Sequence, residues 1–143
     1  MSKKCGIVQP YFFPYYGYFQ LINLADHFVF YDDVQFTKRD WRNRNKIKSR
    51  LGEQWLTIPV KSKGRYTQKI NEVEISDANW GLKHWRQIEA SYKKAPHYQE
   101  ISDWLSPVIK DCKFSNLSEI NRSIITKICG YLKIKTNIKQ IYH

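Results

Sequence analysis

The spacing of apolar positions changes along the chain, and each change marks an element. Gly6-Ile7-Val8-Gln9-Pro10 reads as a short strand that Pro10 stops, because proline has no amide hydrogen for a ladder. Pro10, Pro14 and Gly17 then shape a loop. A helix follows from about Tyr15 to Ala25, with Phe19, Ile22 and Tyr15 on its apolar side. His27-Phe28-Val29-Phe30-Tyr31 is dense in aromatic and β-branched residues and reads as a second strand. Strand, loop, helix, strand is the βαβ pattern of a parallel sheet.

Residues 36 to 50 are polar and basic and read as a loop with some local structure. Trp55 to Val60 reads as a strand ending near Pro59, Lys61 to Lys69 as a basic loop, and Ile70 to Ile75 as a short alternating strand. Three helices follow. The first starts near Asp77 or Asn79, carries Trp85, Ile88 and Tyr92, and is broken by Pro96. The second carries Tyr98, Ile101, Leu105, Val108 and Ile109, with a bend at Pro107. The third opens with the capping-box spacing of Asn116-Leu117-Ser118-Glu119 and ends near Gly130. Leu132 to Ile138 alternates as a strand. The fold class is therefore α/β: a small, mainly parallel sheet that opens with a βαβ unit, then three helices and a short C-terminal strand. A chain of 143 residues has the length of a single domain. A strand this close to His143 usually leads into further elements. The chain thus reads as one lobe of a longer architecture or as a short form that self-associates.

Composition changes this picture in two ways. Ten Tyr, seven Phe and five Trp are more rings than a core needs, and their crowding between Tyr11 and Phe36 points to a walled surface or pocket. The formal charge of +11 implies attraction to anions. Nucleic acid, a nucleotide-linked substrate and an anionic membrane surface all qualify. No apolar run approaches a membrane span or a signal peptide. Cys5, Cys112 and Cys129 have no metal-like spacing. The last two sit among apolar helical residues and read as buried thiols in a reducing, cytoplasmic setting. His27, His84, His97 and His143 show neither metal spacing nor a nucleophile partner, which argues against a transition-metal centre or a hydrolase triad. His84, beside Trp85, reads as exposed.

The candidate chemistry lies in the first fifty residues. Gln9 stands at the C-terminal edge of the first strand, where open parallel sheets bind ligands, and its amide can both donate and accept. The alternative is a local hydrogen bond that holds the proline loop. Gly17 either lets a ligand approach the backbone or serves packing. Asp32 and Asp33 end the second strand. One could bind a hydroxyl or act as a base, while alternation turns the other away. A magnesium ion shared with a substrate phosphate fits such a site. In the basic loop, Trp41 can stack a base or sugar, Asn43 can read polar edges, and Arg42 or Arg44 can fork onto phosphate. Gln9, Asp33 and Arg44 are expected to converge on one cleft.

The opening "IVQPYFFPYYGYFQLINLADHFVFYDDVQFTKRDWRNRNKI" resembles the amino-terminal signature of the WbqC-like family. The likeness continues through "WLTIPV", "INEVEI", "SYKKAPHY" and "LSEINRSIITKICGYL", nearly the whole chain. The resemblance places the family pattern on Gln9, Pro10, Pro14, Gly17, Asp32, Asp33, Trp41, Asn43 and Arg44; Tyr11 lies within it. It implies surface-polysaccharide (O-antigen) biosynthesis and transfer of glycine or a related acyl group onto a nucleotide-linked amino sugar. Asp33 or Asp32 would then accept a proton, and Gln9, Tyr11, Gly17, Trp41, Asn43 and Arg44 would bind substrate. Family members also continue beyond the end of this chain. A looser likeness to HUP-type adenylate-forming enzymes lacks their paired histidines between Tyr11 and Gly17. The competing readings are a basic nucleic-acid-binding module and a non-catalytic lobe or scaffold.

Overall fold

A computed structural model of the chain describes residues 2–140. β1 (Cys5–Val8) leads through the proline loop into α1 (Tyr16–Leu24) and returns as β2 (His27–Phe30). β1 and β2 pair in parallel, from Cys5 opposite His27 to Val8 opposite Phe30. β5 (Asn137–Gln140) adds to the other side of β2, also in parallel, giving the order β1-β2-β5. The α/β class and the βαβ opening are as the sequence implies. Gln9, Tyr31 and Gln140 thus lie at or just beyond one edge of the sheet.

Strand alternation sends Val8, Phe28, Phe30 and Ile138 to one face, where Tyr18, Phe19 and Ile22 of α1 meet Ile125 and Cys129 of α4 (Leu117–Tyr131). The opposite face carries Cys5, Ile7, Val29 and Lys139, and Ile7 is 61% exposed. Parallel sheets are ordinarily covered on both faces; among the described residues this one is covered on one.

The segment expected to be a loop over residues 36–50 is loop only in its first part. β3 (Arg44–Ser49) and β4 (Gly52–Thr57) form an antiparallel hairpin, in register from Arg44 opposite Thr57 to Ser49 opposite Gly52. The pattern hides β3 because Ile47 is its one apolar residue. The strand expected over 55–60 accordingly begins and ends three residues earlier. Residues 70–75 are not a strand either. They form a 3-10 turn, Ile70–Glu72, whose preceding amide, on Lys69, donates to Glu72 Oε2 at 2.8 Å. That local cap competes with a ladder, and only isolated bridges remain at Glu74 and Ile75.

α2 (Trp80–Tyr92), α3 (Tyr98–Lys110) and α4 follow as expected. Asn116 caps α4, its Oδ1 accepting from the Glu119 amide at 3.2 Å. α4 ends one residue after Gly130, and Lys133, with φ +58°, takes the left-handed position beyond it. The larger core joins the hairpin to the helices through Phe12, Leu56, Ile58, Trp80, Trp85, Ile109, Ile120 and Ile124. α4 ties the two cores together, since Ile124 faces the larger core and Ile125 the sheet.

Candidate ligand-binding site

The signature segment divides into an inward half that builds a scaffold and an outward half that lines surface recesses. At the inward half stands Arg42, 8% exposed. Its Nε donates to Gln9 Oε1 at 2.8 Å, and one terminal nitrogen reaches the same oxygen. Its other terminal nitrogen donates to Thr37 Oγ1 at 2.6 Å and to Asp40. A buried guanidinium is tolerable only when its donors are so occupied. The Gln9 side-chain oxygen therefore acts here as a clamp on Arg42.

Three asparagines complete the scaffold. Asn121, from α4, donates to the carbonyls of Arg42 at 2.7 Å and Pro10 at 3.4 Å. Asn43 donates to the Ile58 carbonyl at 3.0 Å and accepts the Ile58 amide on its own carbonyl at 2.7 Å. Asn45 donates to the Phe13 carbonyl at 2.6 Å and the Phe12 carbonyl at 3.2 Å, which holds Phe13 at φ +46°. The loop is also tied by the Phe12 amide to the Trp41 carbonyl at 2.9 Å. So the proline loop and the basic loop are hydrogen-bonded into one unit far apart in sequence.

The outward half is aromatic and cationic. Tyr11, Pro14, Tyr15, Trp41 and Asn45 line a recess of about 340 Å³. Trp41 is 48% exposed, and its ring lies 5.7 Å from that of Trp55. The Arg44 guanidinium sits 4.2 Å from the Trp55 ring on the hairpin, and its terminal nitrogen donates to the Arg39 carbonyl at 2.7 Å. Beyond this stack, Lys38, Arg39, Asn43, Arg44, Thr57 and Ser62 line a cavity of about 190 Å³ with no carboxylate in its wall. Asn43 is buried there, and its Oδ1 has no hydrogen-bond partner among the described residues. Three cations around a small cavity favour an anion.

Gln9 accepts from Arg42, Asp33 pairs with Lys69, and Arg44 lies against Trp55. Asp33 forms an ion pair with Lys69 at 2.5 Å, which raises the pKa of that lysine. Asp32 is buried, and its Oδ2 has no hydrogen-bond partner among the described residues. Over Gly17 lies the Tyr15 ring: a Cβ there would meet it at 2.5 Å. His84 is buried rather than exposed, with Nε2 2.9 Å from the Thr57 carbonyl, and burial lowers its pKa. It packs between the rings of Phe12 and Trp80. Cys129 is buried as expected, which pushes its thiol up to about 11. Cys112 is only half-buried. His143 lies outside the described residues. Among those residues, no group of three or more His, Cys, Asp and Glu side chains could hold a metal ion. Also among them, no helix is long and apolar enough to cross a membrane.

Sequence reasoning did not single out Trp55, Tyr15, Asn45 or Asn121 for the site. Trp55 and Arg44 share a hairpin face, which only the unseen strand β3 would have revealed. For Asn121 a signal existed, a lone amide within the apolar stripe of a helix.

The chain matches the description of the WbqC-like protein family over residues 9–142. It belongs to that family. It is also 49% identical over 136 residues to a Mycobacterium tuberculosis protein described as the uncharacterized protein Rv1507c, covering 95% of this chain. The chain spans 59% of that relative's length. No solved structure matches it. The WbqC-like match begins at Gln9, so both the Arg42 scaffold and the Trp41 recess fall within it.

Proposed function

We propose that this WbqC-like chain binds a nucleotide-linked amino sugar and takes part in acyl or aminoacyl transfer to its amine during surface-polysaccharide synthesis. One observation carries the reading: the Trp41–Trp55–Arg44 stack runs from Trp41, which lines an uncharged aromatic recess, to Arg44, which lines a cationic cavity. A sugar nucleotide has the same order of parts, a ring with apolar faces and hydroxyls joined directly to phosphates. Trp can stack the ring, and Arg44 with Lys38 and Arg39 can hold phosphate oxygens. Family membership supports the polysaccharide setting through the resemblance described above.

In this reaction the amine nitrogen attacks the carbonyl carbon of the donor. A nitrogen–carbon bond forms, the bond from that carbon to the leaving group breaks, and the amine gives up one proton. Of the two aspartates, Asp33 is the better proton acceptor, since its side chain keeps 22% exposure while Asp32 is buried. That role requires the Lys69 ion pair to open. The test is calorimetric titration with a UDP-linked amino sugar, then mass spectrometry of the product with acyl donors. Absence of binding to folded protein at millimolar concentration would reject the reading.

A nucleic-acid role draws on the same surface, because exposed Trp41, Trp55 and Tyr66 stand beside Arg44, Lys46 and Lys38. It requires single-stranded oligonucleotide binding that weakens steeply with salt.

A further inference from the structure

A larger cavity adjoins the aromatic recess and is unlike it chemically. It measures about 570 Å³ and lies between the hairpin and the α2–α3 pair. Its apolar wall is made by Leu56, Trp85, Ile88, Ile101 and Leu105, with Phe13 and Ile47 beside them. Leu56, Trp85 and Leu105 are buried residues of the main core, so the cavity reaches inward rather than lying across a flat surface. Tyr15 and Asn45 line both this cavity and the recess beside Trp41. Volumes of a few hundred Å³ with mostly apolar walls and few polar groups are those of small-molecule sites.

We infer that this cavity binds an uncharged hydrocarbon group, the acyl portion of the donor, next to the sugar recess. The inference rests on the transferase reading and narrows it. A glycyl group carries an ammonium, which needs a carboxylate when taken out of water. No Asp or Glu lines the cavity, and the carboxylates beside it, Glu53 and Glu100, are engaged by Lys46 and His97. A hydrocarbon chain meets no such penalty, and burying its methylenes is favourable. The shared Tyr15 and Asn45 place the inner end of one ligand against the edge of the other, which is what transfer between them requires.

The test uses N-methyloctanamide and glycinamide as neutral-chain and cationic probes, followed through the methyl resonances of Ile47, Leu56, Ile88, Ile101 and Leu105. N-Methyloctanamide is expected to shift these methyls saturably, and glycinamide to leave them unmoved. Ile101→Trp fills the space and is expected to weaken N-methyloctanamide binding at least tenfold, with unchanged binding of a neutral N-acetylated amino-sugar glycoside at Trp41. Ile88→Phe is the second variant, should Ile101→Trp fail to fold. Unmoved methyls, equal shifts from glycinamide, or undiminished binding by a folded filled variant would overturn the inference. Octanamide binding without any sugar or nucleotide binding would uphold the hydrocarbon site and reject the transferase reading instead.

Discussion

Gln9 Oε1 accepts two hydrogen bonds from the Arg42 guanidinium across thirty-three positions of sequence. This contact joins the end of β1 to the basic loop that carries Trp41. A hydrogen bond to a buried charge contributes about 1.5–3 kcal/mol. Gln9→Leu is therefore expected to lower unfolding stability by about 2 kcal/mol, as read by urea denaturation. Arg44→Ala is expected to cost less than about 1 kcal/mol, the scale of an exposed cation–ring contact, while weakening sugar-nucleotide binding. The opposite pattern, with Arg44 structural and Gln9 dispensable, would sink the division into scaffold and site.

Trp41 gives the complementary test. Half its surface is open to solvent, so Trp41→Ala is expected to change stability by less than about 1 kcal/mol. Loss of a stacking partner is worth roughly 1–3 kcal/mol in binding, so affinity for a UDP-linked amino sugar should fall about tenfold or more. Calorimetry on both proteins at one salt concentration reads this directly. Equal affinities would remove Trp41 from the site.

Much of this arrangement is legible in the sequence, and the failures share a cause. The βαβ opening and the three helices declare themselves because one face of each is apolar. β3 does not, since Arg44, Lys46 and Lys48 form the exposed side of the hairpin and Asn45 stands beside Ile47 on the other. The segment from Ile70 to Ile75 alternates like a strand, yet Glu72 caps the Lys69 amide and turns it. Gln9 and Arg42 each read as a ligand contact from the sequence, and in the fold the Gln9 side-chain oxygen accepts from the Arg42 guanidinium. The adjacency of Asp33 to Lys69 links two distant loops, which no local pattern encodes.

The α2–α3 packing depends on Gly81. A Cβ at that position would stand 2.0 Å from the Ile109 carbonyl oxygen, a backbone atom that cannot rotate away. Gly81→Ala is expected to lose about 1–3 kcal/mol through forced separation of the helices, despite the better helix propensity of alanine. Because the apolar cavity lies against the same pair, the variant should also bind N-methyloctanamide differently. Thermal melting that matches or exceeds the unsubstituted protein would show that the helices are not in close contact there.

The burial of His84 sets an acid limit on stability. Its Nε2 faces the Thr57 carbonyl as a donor, and its Nδ1 is buried with no hydrogen-bond partner among the described residues. A second proton would have to sit on that nitrogen, between the Phe12 and Trp80 rings, without an acceptor. Burial accordingly lowers the folded-state pKa, opposed only by the Thr57 carbonyl. The unfolded chain, with an ordinary histidine near 6.5, then binds more protons than the folded one in the interval between the two values. Stability rises with pH across that interval. The contribution is complete above about pH 6.5 and is lost progressively as the pH falls toward the lowered folded value. His84→Gln keeps a donor for Thr57 but cannot titrate. Urea midpoints at several values between about pH 7.5 and pH 5 should fall more steeply for the unsubstituted protein than for the variant. His27 and His97 are present in both, so the difference between the two curves belongs to His84. Parallel curves would mean that the imidazole takes up its proton in the folded state at no cost, and that its site is open to water.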